Sequence, residues 1–417
     1  MLLFLMMACG SGGPKAVSDS GLAENSSADT ASGQDTGLTD TGGPTAGLDR
    51  LEVSAGWVSQ HDGYGTGGAF VDLDNDGDQD LVVAHGNDME PGRIAVFENV
   101  DGVLGEEPAW LSDNPAYYGH LDLGDVNNDG FTDLVVARFL GPDRFDEPGG
   151  VELFLNRDGV LDGTPSWEAS GFFSFSVSLG DMDGDGLLDL GVAVGEAYEN
   201  EPDYARVFRG DGLGGFGDSP VWMAPEPHYS FDVAWADFNG DGWLDLVLAQ
   251  QQSGHRIYPN IGGTLSSVPM WIADDADGPF EGNTLDVGDV DGDGIMDLVV
   301  SDNDQLGGLG VVRLWCGPDL EVCHEVRQEY ASAVVLFDFD EDGDLDLAYG
   351  GWWSPVSILE NQDGRLSSEP CWVSEKSDIV VEALDWADVD GQPGAELMVT
   401  DWTRTSGNRI WLRERSE

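Results

Sequence analysis

The stretch DMDGDGLLDL, residues 181–190, sets aspartates at its first, third, fifth and ninth positions, glycines at its fourth and sixth, and an apolar run behind them. Two carboxylates ~4 Å apart repel by about 4 kcal/mol at an effective dielectric of 20, so several in one tight turn call for a cation. Hard divalent ions such as Ca²⁺ take about six to eight oxygen ligands, and loops supply them from alternate side chains and a main-chain carbonyl. Asp181, Asp183, Asp185 and Asp189 are the side-chain candidates here, with the carbonyl of Leu187 completing the set. Gly186 permits the backbone reversal that returns the later ligands to the ion.

Five close copies repeat the pattern: DLDNDGDQDL (72–81), DVNNDGFTDL (125–134), DFNGDGWLDL (237–246), DVDGDGIMDL (289–298) and DFDEDGDLDL (338–347). Their candidate ligands are Asp72, Asp74, Asp76, Asp80 and the carbonyl of Asp78; Asp125, Asn127, Asp129, Asp133 and that of Phe131; and Asp237, Asn239, Asp241, Asp245 and that of Trp243. Asp289, Asp291, Asp293 and Asp297 follow with the Ile295 carbonyl, then Asp338, Asp340, Asp342 and Asp346 with that of Asp344. Asn127 and Asn239 keep an oxygen ligand and lose a charge. A worn copy, DVDGQPGAEL (388–397), carries Gln392, Pro393 and Glu396 at its fifth, sixth and ninth positions and is expected to bind no metal. The expectation is therefore about six Ca²⁺ sites. An EF-hand shares this opening but needs a Glu at its twelfth position and flanking helices. Here that position is Val83, Val136, Val192, Leu248, Val300 or Tyr349, inside a β-like run.

The copies begin 53, 56, 56, 52, 49 and 50 residues apart, a fixed period that marks a repeat architecture. Other features keep phase. A β-like stretch precedes each decamer, as in GGAFV (67–71) and HLDLG (120–124), and an apolar run follows it, as in LVVA (81–84). A third alternating stretch comes next, as in IAVFEN (94–99) and RIYPN (256–260), and then a Pro-x-Trp element at Trp110, Trp167, Trp222, Trp271 and Trp372. Between Trp271 and Trp372 one such element gives way to an insert flanked by Cys316 and Cys323. Four strands per unit and seven units predict an all-β fold, a seven-bladed β-propeller of four-stranded antiparallel blades. A Trp-type strand around Trp57 stands alone at the start, and NRIWL (408–412) has none behind it. The N-terminal strand is thus expected to complete the last blade as its outer strand.

The decamers resemble the calcium loops of FG-GAP (VCBS-type) repeats, as in the integrin alpha-subunit propeller and many bacterial surface proteins. The resemblance covers residues 51–417. It implies that each loop joins the innermost strand of a blade to the second, on the face opposite the usual ligand-binding surface.

Composition narrows the function. Eighty acidic residues against 17 Lys and Arg give a net charge of −63, and Lys15 and Lys376 are the only lysines, which excludes nucleic acid as a partner. MLLFLMMA (1–8) before Cys9 resembles a bacterial lipoprotein signal, and residues 9–50, rich in Gly, Ser, Thr and Asp, read as a flexible tether. The implied molecule is a monomer on the outside of the cell or outer membrane, touching the membrane only through lipid on Cys9. Cys316 and Cys323 are expected to pair across their turn, and Cys371 to be a buried thiol within an apolar strand.

No catalytic signature such as HExxH or GxSxG occurs. In the expected fold the loops between second and third strands gather opposite the acidic turns. They offer His85, Arg138, Arg256, Trp352, Trp353 and Trp402 as ligand-face candidates, with His120 and His228 opening inner strands there. The function expected is recognition, adhesion or scaffolding toward a glycan or protein ligand. The alternative is a propeller-based extracellular polysaccharide lyase or hydrolase.

Overall fold

An extended run on either side of a sharp acidic turn can only fold back on itself, and in each repeat the two runs pair antiparallel. In the first, Gly65–Val71 meets Asp80–Gly86 with Val71 opposite Asp80 and Gly65 opposite His85. The computed structural model describes residues 51–414 apart from 87, 199, 275, 306, 376–378, 405 and 406, so Cys9, the signal-like segment and the tether lie outside the described residues.

Seven four-stranded antiparallel sheets form the blades of a closed propeller. Their inner strands are Gly65–Val71, Tyr117–Gly124, Ser174–Gly180, Tyr229–Ala236, Gly282–Gly288, Ala331–Phe337 and Val381–Ala387, for blades 1 to 7 in order. No helix occurs among the described residues. In six blades the strands run outward in chain order. The last takes its outer strand from the other end of the chain, where Trp57–Val58 pairs with Arg409–Trp411. Backbone bonds extend this clasp: the Gly56 amide donates to the Ile410 carbonyl at 3.0 Å and the Glu52 amide to that of Leu412 at 2.8 Å.

Each sheet is covered on both sides by its neighbours, so inner and second strands are buried along almost their whole length. The apolar core is accordingly divided. One cluster packs blades 1 and 2 around Val82, Leu121 and Phe154, another packs blades 2 and 3 around Val151, Val177 and Phe208, and the pattern continues around the ring. The cluster across the closing seam joins Trp57, Met398 and Ile410 to Phe70, Leu81 and Phe97. The Trp-type residues face these interfaces, Trp222 lying 5.0 Å from Tyr258 and Trp167 5.0 Å from Phe216 by ring centroids.

Blade 5 departs from the others. Cys316, at the end of the third strand, is disulfide-bonded to Cys323 within a seven-residue outer strand, Glu321–Arg327. Cys371 differs from the sequence expectation. The outer strand of blade 6 begins only at Trp372, which turns its ring inward, and the preceding Cys371 sits in a bend and is exposed.

Within the clasp Trp57 is buried in the closing-seam core, edge-on to Phe97 at 5.4 Å. Trp57→Ala is expected to cost about 3 kcal/mol, read as a lower urea midpoint with an unchanged slope. A loss below about 0.5 kcal/mol would show that the ring closes without it.

Candidate metal centres

The six full decamers fold into one loop geometry. The carboxylate at the first position accepts the amides of the fifth and sixth residues. In the third copy these bonds run from Asp185 to Asp181 at 3.1 Å and from Gly186 at 3.0 Å, and in the sixth from Asp342 and Gly343 to Asp338, both at 3.0 Å. The fifth-position carboxylate accepts the amide of the seventh residue, as Asp293 does from Ile295 at 2.8 Å. Two residues must take left-handed backbone. The sixth is always glycine, with φ from 83° at Gly186 to 99° at Gly343. The fourth is Asn75, Asn128, Gly184, Gly240, Gly292 or Glu341, of which Glu341 bears the steric cost at φ 60°.

The ninth residue is the buried anchor. Asp80, Asp133, Asp189, Asp245, Asp297 and Asp346 each accept the amide of their loop's second residue, such as Met182 to Asp189 at 3.1 Å. The other oxygen accepts an amide just past the third strand, such as Asn260 to Asp245 at 2.7 Å. Burial is the main cause that lifts these carboxyls, to about 6 for Asp189 and Asp245 and about 7 for Asp346, with neighbouring loop carboxylates adding to the rise. Asp78 and Asp344, at the seventh position, turn their carboxylates away to cap the amides of Asp101 at 2.6 Å and Asp363 at 2.8 Å, so their place in the loop is held by main chain alone.

The donor set suits a hard cation. Carboxylate oxygens converge within 4.8 Å in the trios Asp72, Asp74, Asp76; Asp181, Asp183, Asp189; Asp289, Asp291, Asp293; and Asp338, Asp340, Asp346. Asp183 Oδ1 and Asp340 Oδ1 are buried without a hydrogen-bond donor, a costly state that a cation would relieve. In the third copy Arg209 also pairs with Asp183. In the worn seventh copy Pro393 replaces the glycine whose amide the first carboxylate accepts elsewhere, and proline has no amide hydrogen to give.

Sequence reasoning missed the residues that tie these loops to neighbouring blades. Asn99, Asn156, Asn260 and Asn361 each lie two residues past a third strand and donate Nδ2 to the carbonyl of the second residue of the preceding blade's loop: Val389, Leu73, Met182 and Val290, at 2.7–2.8 Å. Behind them Asp-Gly or Gly-Gly turns lay a glycine on that loop's third residue. A Cβ on Gly364 would stand 2.4 Å from the Asp291 carbonyl oxygen, and one on Gly159 2.7 Å from Asp74 Cβ. The recurrent Asn and the Asp-Gly pairs were the available signal. On the inner ring, Asp122, Asp232, Asp286 and Asp385 accept the amides of Leu179, Leu285, Leu336 and Phe70 in the next blade at 2.7–2.8 Å. Full burial lifts Asp385 to about 8.

The ligand-face candidates divide. His85, His120, Trp352 and Trp402 are buried and form no exposed rim, because strands sandwiched between blades bury polar and aromatic side chains alike. Burial pushes His85 down to about 3, and its Nδ1 pairs with the Arg93 carbonyl at 3.1 Å. Trp352 donates its indole N–H to Glu382 at 3.0 Å and stacks on Trp402. Arg138 is held by Glu152 at 2.7 Å, Arg256 donates to the Gly254 carbonyl at 2.6 Å, and His228 is half-buried and lowered to about 4. Trp353 stands out, 49% exposed with φ 54°.

Residues 72–136, 192–248 and 237–300 match the FG-GAP-like repeat family. With the closed ring, these matches define a propeller similar to those of integrin alpha chains. Integrin alpha-5 of Xenopus laevis is 28% identical over 214 residues, 44% of this chain and 19% of that protein. Phosphatidylinositol-glycan-specific phospholipase D of Mus musculus is 29% identical over 172 residues, 36% of this chain and 20% of that one. The chain thus spans about a fifth of the length of these curated relatives. Among solved structures, BBS1N in complex with ARL6DN superposes with a TM-score of 0.57 at 12% identity, covering 87% of this chain and 98% of that one, a likeness of fold.

Asn260→Ala, which strands the Met182 and Leu244 carbonyls, is expected to cost about 1–3 kcal/mol in urea unfolding, whereas loss of a redundant bond would cost nothing. The raised ninth-position carboxyls set a pH dependence. Between the ordinary value of 3.8 and about 6 to 7, the folded chelated protein holds protons that the unfolded chain has released, so stability falls as pH rises through that window. His85 and His228 titrate in the opposite sense and are outnumbered. The chelated protein should therefore melt higher near pH 5 than near pH 7.5, and the reverse order would refute the loop electrostatics.

Proposed function

We propose that this chain is a calcium-binding recognition module of the cell exterior, held to the membrane by lipid on Cys9 and taking a glycan or protein ligand on the face opposite the acidic loops. The observation that carries the calcium reading is the pair of buried, donorless oxygens on Asp183 and Asp340 within converging carboxylate loops. Each loop joins the first two strands of its blade, and the first, third and fifth are also tied to the next blade by an asparagine, so there a bound cation would stiffen both the loop and the interface. The similarity to integrin alpha-5 supports an adhesive role outside the cell. On the opposite face, exposed Trp353 beside Tyr330, with ring centroids 5.5 Å apart, offers the aromatic surface that a sugar ring or a protein loop stacks on.

The chelated protein, retitrated with calcium and assayed for bound metal, should take up about six ions. Its melting temperature should rise by on the order of 10 °C or more, since an ion that binds only the folded state stabilises it by mass action. Asp183→Asn and Asp340→Asn should each remove one ion. An unchanged melting curve after verified metal removal would sink the reading. Screening the loaded protein on a glycan array and against polysaccharides separates retained ligand from turnover, and only turnover would make the chain an enzyme.

A further inference from the structure

The rim between blades 4 and 5 is unlike the rest of the circumference. Outer strands elsewhere are two to four residues long, as in Trp110–Leu111 and Trp167–Ser170, which leaves little open sheet edge. The outer strand of blade 5, Glu321–Arg327, has seven residues and among the described residues pairs on one side only, with Val311–Cys316. Beside it runs a trough of about 430 Å³ between Trp271–Ile272 of blade 4 and the disulfide-tied turn of blade 5. Its apolar wall includes Ile272, 48% exposed, and Val322, 39% exposed. Its border carries Asp274, Asp277, Asp319 and Glu321, and among the described residues no arginine or lysine side chain pairs with these four carboxylates. Arg313, which reaches the main chain of Asp277 at 2.8 Å, is spent on Glu325 at 2.7 Å.

An open edge with its backbone groups unpaired is a template for an added strand, and the side chains along it decide which strand is accepted. Like charges opposite one another destabilise a pair, so this acidic edge rejects a second copy of a chain of net charge −63. Opposite charges and aliphatic contacts favour pairing. We propose that the blade 4–5 trough and the edge Glu321–Arg327 receive an extended segment of a protein partner, joining blade 5 as a fifth strand, with aliphatic residues at alternate positions turned to the trough and basic residues at its two ends. Its aliphatic side chains would lie on Ile272 and Val322 and its basic ones among the four carboxylates. The site lies on the rim and stands whether or not the acidic loops hold calcium.

The test is calorimetric titration of the full chain with a short synthetic peptide that has valine at alternate positions between lysines at both ends, compared with a lysine–serine peptide, in which serine replaces each valine, and with one in which glutamate replaces each lysine. The lysine–valine peptide should bind at least about tenfold more tightly than either control, and hydrogen exchange should show new protection confined to amides of Glu321–Arg327. The combined variant D274N/D277N/D319N/E321Q should weaken binding about tenfold. A control that removes equal charge elsewhere, D146N/E201Q/D218N/E369Q, should leave it within about twofold. Ile272→Lys, at an exposed position that leaves the near-ultraviolet circular dichroism unchanged, should abolish it. Equal losses in the two charge variants, equal affinity for the lysine–serine peptide, or no protection along the edge would each overturn the proposal.

Discussion

The structure depends on one repeated constraint: a blade cannot bury both faces of its sheet alone, and each interface that completes the burial is locked by a buried polar bond. Asn side chains lock the 1/2 and 3/4 interfaces, and inner-strand aspartates lock 2/3 and 4/5. Both kinds act at 5/6 and at the closing seam, where Asp385 accepts the Phe70 amide and Asn99 reaches Val389. Between blades 6 and 7 the part is shared by Trp352, donating to Glu382, and Arg413, fully buried over the Phe339 ring and donating to the carbonyls of Phe339 and Ala395. Apolar contact supplies most of the cohesion. The polar bonds have direction, which slippery interfaces between similar sheets otherwise lack.

That constraint explains where the acidic loops sit and why they are ordered. Their amides are consumed within the turn by the first and fifth carboxylates, their buried ninth residue is clamped between loop and sheet, and an asparagine and a glycine of the next blade cover the first, third and fifth of them. Loop and interface form one unit. A perturbation of charge in the loop is therefore felt in the packing of two blades, and the carboxyls raised by burial share their field with the exposed ones.

The same arrangement leaves function to the places where the repeat fails. Blade 5 exchanges its short Trp-type strand for a disulfide-tied hairpin with a long edge. Blade 7 loses the glycine of its loop and borrows its outer strand. Where all neighbours are equivalent, asymmetry is what a partner can recognise.

The repeat period, the alternation of the strands and the lone Trp57 element determined the number of blades, the strands in each and the way the ring closes, because these follow from periodicity and turn chemistry that local sequence carries. The spacing of aspartates likewise marked the loops. Tertiary structure alone decided which polar side chains are available. His85, His120, Trp352 and Trp402 lie in or beside strands that read as ligand-bearing, yet packing by adjacent blades buries them, and Cys371 is exposed although its neighbours are apolar. The clasping asparagines and inner-ring aspartates were visible as recurrent letters, but their partners lie about 50 to 320 residues away, so their meaning exists only once the ring brings one blade against the next.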